Sequence, residues 1–95
     1  KLLQCDLEHN PSDILSSDEY IGERYGVLTQ EGRDALKLVA ETEGIFLDPV
    51  YTSKAMAGMI DQIRKEIITK NETVVFIHTG GLPALFAYAE DLMIS

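Results

Sequence analysis

The sequence predicts an α/β layer of three helices and one strong buried strand, with the sheet left incomplete. Three observations lead there. Apolar residues recur at helical spacing across residues 52–67, an unbroken apolar run occupies residues 73–77, and Gly80-Gly81 separates that run from a third helical stretch. The resulting order is helix, helix, strand, glycine turn, helix.

Residues 1–19 are polar and acidic, carry the turn signal Asn10-Pro11, and read as a linker or loop. The stretch from Tyr20 to Gly26 holds two aromatics and two glycines without a helical period, so it reads as a short strand or an irregular loop. Thr29 is placed to cap a first helix running to about Glu43. Glu31 suits the positive end of that helix, Leu36, Val39 and Ala40 follow its spacing, and Gly44 supplies the stop. Ile45-Phe46-Leu47 is a short apolar segment, after which Pro49 pushes Asp48 towards extended backbone and forces a turn.

The second helix has the clearest pattern. Thr52 or Ser53 can cap it, and Met56, Met59, Ile60, Ile63 and Ile67 form a stripe that reads as core. Asp61 and Lys65 stand four apart in the favourable order. Lys70-Asn71-Glu72 is a turn, and Thr73 to Ile77 is a strand whose lack of alternation predicts burial on both faces. Pro83 suits the first position of a third helix that continues from Ala84 to Leu92. A lone strand cannot satisfy its own backbone, so its partners are expected elsewhere in a longer chain or in another molecule.

Composition narrows the function. Ninety-five residues with 45% hydrophobic and 25% charged side chains make one small domain, too small for a deep cavity walled on every side. A net charge of −8 with scattered basic residues argues against nucleic acid and anionic membrane surfaces. Cys5 is the single cysteine, so no internal disulfide forms, and a reducing, cytoplasmic setting is expected. It reads as a structural or exposed thiol rather than a nucleophile. No apolar run approaches the roughly 18 residues of a membrane span. Lys1-Leu2-Leu3 passes straight into polar residues, unlike a signal peptide, and the missing initial Met suggests a trimmed or partial chain.

In open α/β sheets, ligands gather beyond the carboxyl ends of the strands, here His78-Thr79-Gly80-Gly81. That turn is neither a Walker A loop nor a dinucleotide fingerprint. His78 reads as a satisfied core histidine before it reads as a base. Asp48 has no second carboxylate for acid–base work and reads as a turn cap. No serine–histidine–aspartate order and no His-x-x-x-His metal spacing occurs.

Three blocks carry more. They are Tyr25-Gly26-x-x-Thr29-x-Glu31-Gly32, then Thr42-Glu43-Gly44-Ile45-x-Leu47-Asp48-Pro49-Val50-Tyr51-Thr52-x-Lys54-Ala55-Met56-Ala57-Gly58-Met59, then His78-Thr79-Gly80-Gly81-x-Pro83-Ala84-Leu85. In this order and spacing the chain resembles the C-terminal portion of the D-cysteine desulfhydrase and aminocyclopropanecarboxylate deaminase family. These are fold-type II pyridoxal-phosphate enzymes related to the tryptophan synthase β chain. The resemblance covers residues 18–90, and it makes residues 20–95 the C-terminal part of the large domain of such an enzyme.

The resemblance implies pyridoxal phosphate as cofactor, a small amino acid as substrate, and a homodimer for the complete enzyme. It places Tyr25 and Tyr51 on the substrate side of the cofactor as catalytic candidates, although either tyrosine alone would pass for an ordinary half-buried aromatic. Thr52, Thr79 and Gly80 fall at cofactor-binding positions. Ring-opening deaminases of the family typically carry Glu where this chain has Thr52 and Leu where it has Thr79, whereas the desulfhydrases carry hydroxyls. A hydroxyl at the pyridine nitrogen does not stabilise ring protonation as a carboxylate does, and the weaker electron sink suits β-elimination of a good leaving group. The expected reaction is D-cysteine to pyruvate, ammonia and hydrogen sulfide, with cysteate or aminocyclopropanecarboxylate as alternative substrates. The family's Schiff-base lysine, the deaminases' nucleophilic serine and the main phosphate loop lie N-terminal to the matched blocks. Lys54 therefore reads as a helix-surface lysine, and these residues alone are expected to be inactive. A different class of reading is a stand-alone, non-catalytic piece or oligomerising module.

Overall fold

The computed structural model describes residues 15–93. Cys5, the Asn10-Pro11 turn and most of the 1–19 linker lie outside them. The architecture is helical: α1 (Gln30–Glu43), α2 (Thr52–Arg64), α3 (Ala84–Ala87) and α4 (Ala89–Met93). Among the described residues there is no β-strand, which overturns the α/β layer with a buried strand. Residues 73–77 run without regular structure, and Val75 and Ile77 are 82% and 77% exposed. The physical reason is the one the composition already contained. With no neighbouring strand to exchange N–H and C=O bonds, an apolar run gains nothing by forming a ladder. Only Phe76 turns inward, packing against the core.

The first helix follows its sequence signals closely. Thr29 accepts a hydrogen bond from the Gly32 amide through its Oγ1 at 3.0 Å, and Gly44 ends the helix in the left-handed region at φ 65°. Ala35 and Val39 face α2, where Met56 and Ala57 meet them, and Leu47 of the connecting loop fills the remaining space. Leu36, Met59 and Ile60 flank this core. The stripe stops short of its predicted length: α2 ends at Arg64, and Ile63 and Ile67 are largely exposed. Asp61 and Lys65 pair at 2.9 Å as the spacing predicted.

The third helix is shorter than predicted. Pro83 precedes it rather than opening it, and the backbone breaks at Tyr88, leaving two short pieces with no buried residue. The Tyr88 hydroxyl donates to the Gly26 carbonyl at 2.6 Å, which ties this end of the chain to the irregular 20–26 loop. None of the described helices is long and apolar enough to cross a membrane.

Candidate active site

The turn before α2 is organised by one side chain. Asp48 is wholly buried, and its carboxylate accepts from the amides of Val50, Tyr51 and Thr52 at 2.7–2.9 Å. Its carbonyl accepts from the Ser53 amide at 3.0 Å. The Tyr51, Thr52 and Ser53 amides are among those a helix N-terminus leaves unpaired, and the Val50 amide belongs to the turn that leads into it. Pro49 cannot donate and fixes the backbone between them. The predicted cap at Thr52 or Ser53 is thus displaced to Asp48, because a carboxylate four residues back reaches three amides where a hydroxyl reaches one. Burial pushes the Asp48 carboxyl up, but the hydrogen bonds from the Thr52 hydroxyl and the three amides outweigh it and hold the group below the ordinary carboxylate value.

Thr52 is fixed in both directions. Its hydroxyl donates to Asp48 Oδ1 at 2.6 Å and accepts from the Asp48 amide at 2.7 Å, and the residue is 2% exposed. The glycine turn closes on the same carboxylate. Gly81 has φ +89°, and a Cβ there would stand 2.9 Å from Asp48 Cγ. His78 receives the Gly80 amide on Nδ1 at 3.0 Å, so its Nε2 carries the proton and donates to the Phe46 carbonyl at 2.8 Å. This histidine is satisfied as predicted, though exposed rather than part of the core. Thr79 is exposed and Gly80 half-buried.

The two predicted catalytic tyrosines meet. Tyr25 and Tyr51 stand 26 apart in sequence, yet their hydroxyls are 2.5 Å apart and their ring centroids 5.7 Å apart at a tilt of 58°. Tyr51 is carried by the Asp48 turn, and Tyr25 by the 20–26 loop that Tyr88 anchors. The hydrogen bond to Tyr25 raises the ionisation of Tyr51, and burial and the nearby charges of Tyr25 and Asp48 raise it further. Tyr51 therefore holds its proton more tightly than an unpaired phenol.

Both rings line an open groove of about 670 Å³ with Ile21, Val50, Lys54 and Met59. That volume is within the roughly 300–1,000 Å³ usual for small-molecule sites. Thr52, Thr79 and Gly80 do not line it; Thr52 is held at Asp48, and it is Gly81, rather than Gly80, that closes on that carboxylate. Lys54 is a correction. Instead of standing on the helix surface it is 8% exposed, with Nζ 3.4 Å from the Arg24 carbonyl. The signal was present: three residues after Tyr51, it shares that tyrosine's helix face. Tyr20 was also missed. Its ring lies against Gly58, and its hydroxyl donates to Asp61 at 2.6 Å. A second groove of about 530 Å³ between α1 and α2 contains none of the predicted site residues.

The model of the family described as pyridoxal-phosphate dependent enzyme matches residues 2–80, a stretch that holds both tyrosines, Thr52, Lys54, Thr79 and Gly80. The chain belongs to that family. Membership implies pyridoxal phosphate, and the residues present fit one end of it. Two phenols and an apolar wall suit an aromatic ring and an amino-acid ligand. The phosphate does not fit at α2, because the amides that would cradle it are already taken by Asp48. Among the described residues no cluster of His, Cys, Asp and Glu is suited to a metal ion.

Proposed function

We propose that this pyridoxal-phosphate enzyme is a lyase acting on a small D-amino acid, most specifically a D-cysteine desulfhydrase releasing pyruvate, ammonia and hydrogen sulfide. The observation that carries the reading is the Tyr25–Tyr51 hydroxyl pair at 2.5 Å on the rim of an open groove. Pyridoxal phosphate, when bound, supplies the electron sink for chemistry next to the amino-acid nitrogen. The phenol pair orients the substrate by hydrogen bonds, and Tyr51 holds a proton for the departing group.

Thr52 and Thr79, rather than a carboxylate and a leucine, support elimination over ring opening. The two threonines have different tasks in this proposal. The single proton of Thr52 is spent on Asp48 Oδ1, so Thr52 shapes the turn. In this reading Thr79, which is exposed, is the residue that bonds the pyridine nitrogen. The Schiff-base lysine and the phosphate loop are proposed to come from other parts of the enzyme, since Lys54 already serves the groove.

The test is product analysis. The intact protein with pyridoxal phosphate is given D-cysteine, cysteate and aminocyclopropanecarboxylate in separate reactions. Sulfide and pyruvate from D-cysteine support the reading; 2-oxobutanoate from aminocyclopropanecarboxylate without sulfide overturns the role given to the threonines.

A further inference from the structure

Tyr25 and Tyr51 are largely exposed, at 72% and 56%, so packing around the rings does not set the contact between their hydroxyls. The way the 20–26 loop lies on α2 does. Residues 15–19 and 21–25 are all exposed, and Tyr20 between them is half-buried. Its ring takes the space that a side chain at position 58 would fill. A Cβ on Gly58 would stand 2.9 Å from Tyr20 Cδ2 and within 3.3 Å of two further ring atoms. A glycine inside a helix costs stability relative to alanine. Here it seats an aromatic ring. The Tyr20 hydroxyl then donates to Asp61 Oδ2 at 2.6 Å, the same oxygen that Lys65 pairs at 2.9 Å.

Tyr51, Gly58 and Asp61 follow one another at helical spacing, which places them along one face of α2 and the residue that precedes it. The loop follows that face, with Tyr20 at the Asp61 end and Tyr25 at the Tyr51 end. Beyond Tyr25, the Tyr88 hydroxyl bonds the Gly26 carbonyl. Between these two ties the backbone passes through Gly22 and Gly26, each at φ 80°, and one backbone hydrogen bond, from the Val27 amide to the Arg24 carbonyl at 3.2 Å, closes the turn. Such a stretch has little stiffness of its own. Its ends decide where it lies.

We infer that Tyr20 is a positioning residue: seated on Gly58 and bonded to Asp61, it holds the 20–26 loop against α2 so that Tyr25 meets Tyr51. The inference rests on the proposed lyase reading, in which the two phenols handle the substrate.

The experiment uses the intact protein with ring-labelled tyrosine. Tyr20→Phe keeps the ring on Gly58 and removes the bond to Asp61. Asp61→Leu removes the acceptor, whereas Asp61→Asn keeps one. The readout is the ionisation of Tyr51, which the bond with Tyr25 holds high. It should move down towards the ordinary tyrosine value in Tyr20→Phe and Asp61→Leu, and stay at the parent value in Asp61→Asn. A merely structural tyrosine would lower the unfolding midpoint and leave Tyr51 where it is. Gly58→Ala displaces the ring with both bonding groups retained; it should move Tyr51 the same way, and it carries the test if Asp61→Leu does not fold. An unmoved Tyr51 in folded Tyr20→Phe and Gly58→Ala proteins overturns the inference. With pyridoxal phosphate and D-cysteine, Tyr20→Phe should lose about tenfold in kcat through misplacement of Tyr25. Turnover separates the two proposals. Sulfide release by the parent with Tyr51 unmoved in the variants defeats this inference alone, whereas a Tyr51 that moves without any D-cysteine turnover in the parent defeats the desulfhydrase reading alone.

Discussion

The Asp48 carboxylate and the Thr52 hydroxyl are joined twice, Thr52 donating to Oδ1 at 2.6 Å and accepting from the Asp48 amide at 2.7 Å. The pair closes a buried ring that sets where α2 begins and hence where Tyr51 and Lys54 point. Asp48→Ala should therefore cost about 3 kcal/mol, combining loss of a helix cap with amides left unpaired. Denaturant unfolding measures it, and Thr52→Val should cost less, since only the hydroxyl bonds are lost.

The same carboxylate sets an acid limit. Its folded pKa lies below the ordinary value, so its contribution is fully present above the unfolded pKa of about 3.9 and is lost as pH falls through the lower folded value. Unfolding midpoints measured from neutral pH downward should show this loss only in the acid range. Asp48→Asn should flatten that part of the profile.

Tyr51 titrates high chiefly because Tyr25 bonds it. In Tyr25→Phe its ionisation should move down towards the ordinary tyrosine value, read by nuclear magnetic resonance of ring-labelled tyrosine. The exposure of both rings means that stability should change by less than about 1 kcal/mol. An unmoved Tyr51 would show that the pair is not formed in solution.

Gly81 has two reasons to be glycine, a φ of +89° and a Cβ position 2.9 Å from Asp48 Cγ. Gly81→Ala should destabilise by about 1–3 kcal/mol through backbone strain and displacement of the carboxylate. Gly44→Ala has the positive φ without the collision, with nothing within 4 Å of its Cβ position, and should cost about 1 kcal/mol. Thermal unfolding of the two variants side by side separates strain from contact.

The sequence was most legible where local chemistry decides the structure. Thr29 and Gly44 bounded α1, and the Asp61–Lys65 spacing gave an ion pair. Residues 73–77 misled because an apolar run shows a preference, whereas a strand needs a partner that no local pattern supplies. Ile67 misled because α2 ends at Arg64 before the stripe does, and Ile63, in the last turn of the helix, is left exposed as well. At the site, the resemblance named Tyr25 and Tyr51, but their contact joins residues 26 apart and is visible only in the fold. Lys54 was mistaken for a surface residue because lysine is rarely buried.

The central claim is that the Tyr25–Tyr51 pair handles the substrate of a pyridoxal-dependent elimination. Sulfide release from D-cysteine, compared between the intact protein and Tyr51→Phe, tests it most directly. The account expects release by the parent and a loss of about a hundredfold in kcat for the variant, with pyridoxal phosphate binding and folding retained. Equal rates in the two proteins would contradict it.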